Sequence, residues 1–122
     1  MPATPQILIA HDHNLVRMLL VQLVAQIYPS ALITAVTNGA EALNAFTQHG
    51  TDLLITDNHM PGIGGVDLIR ALRAQHATCP ILMVSSDTWL EAAVLAIGAN
   101  RFLGTPFSEA EFRQAVTALL PP

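Results

Sequence analysis

Four apolar runs in this chain stop abruptly on groups that can do chemistry. Ile7-Leu8-Ile9-Ala10 runs into His11, Asp12 and His13, and Leu53-Leu54-Ile55-Thr56 runs into Asp57, Asn58 and His59. Ile81-Leu82-Met83-Val84 ends on Ser85 and Ser86, and Arg101-Phe102-Leu103-Gly104 on Thr105 and Pro106. Two carboxylates, Asp12 and Asp57, therefore stand at the ends of segments that read as buried strands. On neighbouring strands they repel, and one takes a proton unless a cation sits between them. A hard divalent ion such as Mg²⁺ resolves the repulsion with oxygen ligands from one or two carboxylates, water and phosphate. The plainer alternative is that both acids cap the helices that follow, yet neither stands directly at an expected helix start.

The elements that must position these groups alternate strand and helix five times. The short apolar runs at 7–10, 32–36, 53–56, 81–84 and 101–104 are the expected strands. Asn14 is the expected cap of a helix over about 15–27, stopped by Tyr28-Pro29-Ser30. Asn38-Gly39-Ala40-Glu41 resembles a capping box for a helix to about Gln48, and Ser108-Glu109-Ala110-Glu111 another for a helix to Leu120. A helix over about 65–75 follows the third strand. Asp87 is the expected cap of the next, which ends near Gly98. Strands apolar on both faces, alternating with helices, imply a five-stranded parallel sheet covered by helices on both sides. Right-handed crossovers bring all C-terminal strand ends to one edge, where ligand chemistry collects.

Composition bounds the class. The chain has 122 residues, ordinary for one domain, and the expected domain covers 1–122, with Pro121-Pro122 read as its end or the start of a linker. Hydrophobic residues make up 52% and charged residues only 11%, so apolar surface is expected to remain for a partner. A net charge of −4 argues against nucleic acid, and the single cysteine, Cys79, allows no intrachain disulfide. There is no signal peptide and no span long enough for a membrane, so the expectation is a soluble cytoplasmic protein. All five basic residues are arginine; the chain has no lysine.

The segments "ILIAHDHNLVR", "DLLITDNHMPGIGGVDLIRAL", "PILMVSS" and "NRFLGTPF" together resemble the receiver domains of two-component response regulators, over essentially the whole chain. The resemblance implies a doubly wound, flavodoxin-like (βα)5 fold and a signalling module rather than an enzyme. Asp57 would take a phosphoryl group from a histidine kinase or a histidine phosphotransfer protein, in a Mg²⁺ site formed by Asp12, Asp57 and the backbone carbonyl of His59. Ser85 would hydrogen-bond the phosphoryl oxygen, and Phe102 would report the resulting shift. Thr105-Pro106 matches a peptide that is cis in the family. His59 and Asp87 match positions that tune the lifetime of the acyl phosphate, and would pair over the site, making that lifetime pH-dependent.

Two matched positions depart from the family. His11 stands where the first acid of a pair belongs, so Mg²⁺ is expected to bind weakly; imidazole suits a transition ion better, and His11, Asp12 and Asp57 as a site for one is the sharper alternative to a hydrogen-bonded histidine at the rim. Thr105 stands where the family carries lysine and offers a hydroxyl in place of a charge-assisted donor. Arg101 lies at the far end of its strand. His13, His49 and His76 lack ligand spacing and read as surface residues.

Helical periodicity buries Val16, Leu19, Leu20, Leu23, Val24 and Ile27 on the first helix and turns Met18 and Val21 outward. On the fourth helix, shorter than is usual in receivers, it buries Leu90, Ala93, Val94 and Ile97, leaves Leu95 outward and puts Trp89 at the margin. The fourth helix, fifth strand and fifth helix, with Trp89, Leu95 and Phe102, are the expected face for a homodimer or an output domain. The competing reading is a pseudo-receiver, a phosphorylation-independent interaction module. A nucleotide-binding or phosphohydrolase domain lacks both the GxGxxG turn and a P-loop lysine.

Overall fold

The structure, a computed structural model, describes residues 4–122; residues 1–3 of the expected domain lie outside the described ones. The elements in chain order are β1 (Gln6–Ala10), α1 (Asn14–Ile27), β2 (Leu32–Val36), α2 (Gly39–His49), β3 (Leu53–Thr56), α3 (Gly65–Ala74), β4 (Ile81–Ser85), a 3₁₀ turn (Thr88–Leu90), α4 (Glu91–Ile97), β5 (Arg101–Gly104) and α5 (Glu109–Leu119). All strands pair in parallel in the order β2-β1-β3-β4-β5. The order reverses between β1 and β3, so His11-Asp12 and Asp57 meet at that switch point.

Strand alternation feeds two cores. Ile7, Ile9, Leu53, Ile55, Leu82 and Val84 pack under α1 and α5, where Leu20, Val24, Phe112 and Val116 close the layer. Leu8, Ala10, Leu54, Ile81 and Met83 face Ala42, Leu68, Leu72 and Val94 of the helices on the other side. The central strands β1, β3 and β4 are covered on both faces, as their continuous apolar runs require. β2 is different. It is one edge of the sheet, β5 being the other, and Leu32, Thr34 and Ala35 are exposed.

Local sequence explains most element ends, with corrections. His13, not Asn14, caps α1: its ring accepts the Val16 amide, while the Asn14 side chain turns to Arg17. The α2 box forms by half. Asn38 accepts the Glu41 amide, but the Glu41 carboxylate goes to Thr37. The α5 box of Ser108 and Glu111 is complete. Asp87 makes no cap hydrogen bond. Leu19 and Ala93, expected inside, are exposed, and Val21, expected outside, packs on the core. Trp89 is not marginal but 76% exposed.

Candidate functional site

The C-terminal ends of β1, β3, β4 and β5 surround a cleft of about 250 Å³, lined by His11, His13, Val16, Asp57, His59, Val84, Ser85, Ser86 and Thr105. Asp57 sits at its floor with a side chain 13% exposed. The Asp57 amide is held by the Ala10 carbonyl at 3.0 Å, and its own carbonyl takes the Thr56 hydroxyl at 2.8 Å. Behind it, Gly65 lets α3 come close: a Cβ there would lie 2.2 Å from the Asp57 carbonyl oxygen. Burial raises the Asp57 carboxyl above its ordinary value, opposed by the Asn58 backbone N–H and the His11 ring.

His11 is buried, and its ring reaches both acids. Nε2 is 3.6 Å from Asp57 Oδ2, and Nδ1 is 3.8 Å from Asp12 Oδ1. Burial lowers its pKa although both carboxylates pull the other way. His11, Asp12 and Asp57 each bring one candidate ligand atom within 4.8 Å of the others. Asp12 is half-exposed and lies at the rim.

On the opposite wall the Ser85 hydroxyl oxygen accepts the Asp87 amide at 3.0 Å, which leaves its proton free to donate into the cleft. The Thr105 amide bonds the Ser85 carbonyl at 3.1 Å, and Thr105-Pro106 is cis. The Asp87 carboxylate contacts the His59 ring, joining the loops after β3 and β4 across the cleft mouth. Phe102 is half-buried against the α2–α4 core. Leu95 and Trp89 lie exposed on and before α4, outside the cleft.

Two contributors were missed in the sequence. Arg17, one turn into α1, donates to the His11 carbonyl at 2.9 Å and to Asn14 at 2.6 Å. His13 lines the cleft as well as capping α1. The tight loop between His11 and α1 was the available signal, since it brings the first helical turn back over the strand end.

The family model of the response regulator receiver domain matches residues 7–117. This chain belongs to that family. The sensory transduction protein LytT of Oceanobacillus iheyensis is 30% identical over 93% of this chain and 47% of its own length. The sensory/regulatory protein RpfC of Xanthomonas campestris is 33% identical over 93% of the chain and 16% of its length. The chain thus spans less than half of these relatives. Among solved structures, a candidate response regulator of Chloroflexus aurantiacus superposes with a TM-score of 0.87 at 28% identity, covering 98% of this chain and 99% of that one. The receiver domain of Francisella response regulator 1452 gives 0.82 at 25%, covering 95% and 96%.

Receiver domains are signalling modules that typically bind Mg²⁺ in their acidic pocket. This receiver fits that ion poorly. Mg²⁺ demands close octahedral oxygen ligands, and the buried ring of His11 stands against Asp57 where a second acid would serve. Asp12, Asp57 and the His59 carbonyl are the remaining oxygen donors. Among the described residues, no helix is long and apolar enough to cross a membrane.

Proposed function

We propose that this receiver accepts phosphate on Asp57 from a histidine kinase or histidine phosphotransfer protein, and that the modification alters a protein-interaction face. One observation carries the reading. Asp57 is the carboxylate that ends a central strand on the floor of an open cleft, with a hydroxyl donor, Ser85, on the next strand. In the transfer an Asp57 oxygen attacks phosphorus, the bond from phosphorus to the donor's imidazole nitrogen breaks, and its electron pair stays on that nitrogen. Ser85 then donates to a phosphoryl oxygen, drawing the loop after β4 inward, and Phe102 follows. His59 and Asp87 stand over the path water takes to the acyl phosphate and set its lifetime. Thr105 contributes a neutral hydroxyl where the family has lysine.

We read residues 1–122 as one cytoplasmic, non-enzymatic module, with Mg²⁺ binding weaker than in a two-acid receiver. The exposed Trp89 and Leu95, with Phe102, mark the partner face of α4, β5 and α5. The pseudo-receiver reading is favoured by the paired replacement of the first acid by His11 and the lysine by Thr105.

Incubation with a small phosphodonor such as acetyl phosphate in Mg²⁺ buffer, followed by intact mass, tests the choice. We expect one added phosphoryl group, lost in Asp57→Asn. An unmodified chain under every donor would leave the interaction module as the function.

A further inference from the structure

We infer that the His11 imidazole stands in this acidic pocket as the neutral Nε2–H tautomer: its Nε2–H is directed at Asp57, where it works against binding of a divalent ion. The inference goes beyond the phosphoacceptor reading and stands whether or not phosphate is transferred.

The tautomer follows from geometry. The His13 backbone N–H donates to His11 Nδ1 at 3.1 Å. A backbone amide can only donate, so Nδ1 supplies its lone pair and carries no proton. A neutral imidazole has one N–H, which therefore sits on Nε2. That nitrogen faces Asp57 Oδ2 at 3.6 Å, within reach of a hydrogen bond after a small closing movement.

The ring has little freedom to choose otherwise. The residue is 9% exposed. Its amide is held by the Val36 carbonyl at 3.1 Å, and its own carbonyl by Arg17 at 2.9 Å. Both peptide groups flanking the side chain are therefore anchored, one to β2 and one to α1.

This arrangement disfavours metals of both kinds. The Nε2 position presents a proton to the space between His11 and Asp57, and the Nδ1 lone pair is spent on a backbone amide. For a transition ion to bind Nε2, the proton must move to Nδ1, which leaves the His13 amide without its acceptor. Binding through Nδ1 breaks the same bond. For Mg²⁺, imidazole is a poor ligand in either form. The three groups converge within 4.8 Å, yet the ring of His11 offers a metal no lone pair that is not already engaged. His11 acts as a positioning residue: it steadies the Asp57 carboxylate from the β1 side, in a chain with no lysine to do so from the β5 side.

Long-range ¹H–¹⁵N correlation spectra of the histidine-labelled protein at neutral pH read the tautomer directly. We expect His11 as the Nε2–H form, with Nδ1 unprotonated, and no movement of its signals or of the Asp57 and Asn58 amides on adding millimolar Mg²⁺ or stoichiometric Zn²⁺. His11→Asp should gain Mg²⁺-dependent shifts at Asp57, with affinity at least ~10-fold above wild type. A protonated Nδ1 in the wild-type protein would overturn the inference, as would wild-type shifts saturating at the Mg²⁺ concentration that saturates His11→Asp. The wild-type spectra decide the matter even if the variant fails to fold.

Discussion

Asp57 is flanked by a ring N–H from His11 on one side and by the hydroxyl residues Ser85 and Thr105 on the other. No permanent positive charge lines this cleft: its basic groups are the rings of His11, His13 and His59. A lysine ammonium on a phosphoryl oxygen is a charge-assisted hydrogen bond worth roughly 1.5–3 kcal/mol, against ~1 kcal/mol for a neutral donor. The difference of about 1–2 kcal/mol changes a two-state ratio by roughly five- to thirty-fold. Phosphorylated wild type should therefore populate the switched arrangement only in part, and Thr105→Lys should sharpen the response. Amide shifts of Ser85, Asp87 and Phe102, with and without a stable phosphoryl mimic, measure it. A complete shift to one new state in the wild type would remove the case for weakened coupling.

The loop between β3 and α3 is the element on which the site depends most. It is clamped at two glycines. The Gly39 amide bonds the Ile63 carbonyl at 3.0 Å, so close that a Cβ at Gly39 would lie 2.3 Å from that oxygen. Gly65 likewise meets the Asp57 carbonyl and the Met83 methyl. Backbone cannot yield as a flexible side chain does, so Gly65→Ala should cost about 1–3 kcal/mol and move Asp57 with α3. Urea unfolding with the Asp57 amide shift as a second readout checks both; a loss within ~0.5 kcal/mol would mean that α3 slides away freely. Across the cleft, the short α4 begins only after a 3₁₀ turn, and Asp87 before that turn directs its carboxylate to His59 rather than to the turn's amides.

At the scale of the whole molecule, Tyr28 joins the end of α1 to the end of α5. Its buried hydroxyl donates to the Leu120 carbonyl and lies 3.2 Å from that of Val116. Burial pushes the phenol up to about 12 from an ordinary value of 10.0. The unfolded chain ionises first, so the stability held by the neutral phenol is intact below about pH 10 and is lost as pH rises through about 12. Tyr28→Phe should remove that alkaline slope in chemical denaturation and cost about 1 kcal/mol at neutral pH. An unchanged slope would place the ionising group elsewhere. The outer surface carries a different expectation. Trp89 is 76% and Leu95 41% exposed. The wild-type protein should self-associate with concentration in sedimentation, and Leu95→Glu or Trp89→Ala should abolish this without altering the melting temperature. A wild type monomeric at high concentration would reduce the patch to plain apolar surface.

The alternation of short apolar runs with helical patterns was enough to place all five strands within about a residue. It also set the sheet type and the polar residues at its carboxyl edge, because strands buried on both faces leave no other reading. The reading of Asp57 as phosphoacceptor, the His59–Asp87 pair and the cis Thr105-Pro106 peptide came from resemblance to a family, and the complete Ser108–Glu111 cap from local chemistry alone. Other features depend on distances between segments far apart in the chain. The poor exposure of Asp57 and the exposure of Leu19 and Ala93 each required the packed sheet and helices. So did the role of Arg17, whose partner is the carbonyl of His11, a backbone group that no residue pattern announces. The protonation of the His11 ring belongs with these. A sequence can place a histidine beside two acids, but only the fold aims the His13 amide at one nitrogen and a carboxylate at the other, and that pairing decides whether the ring holds an ion or excludes it.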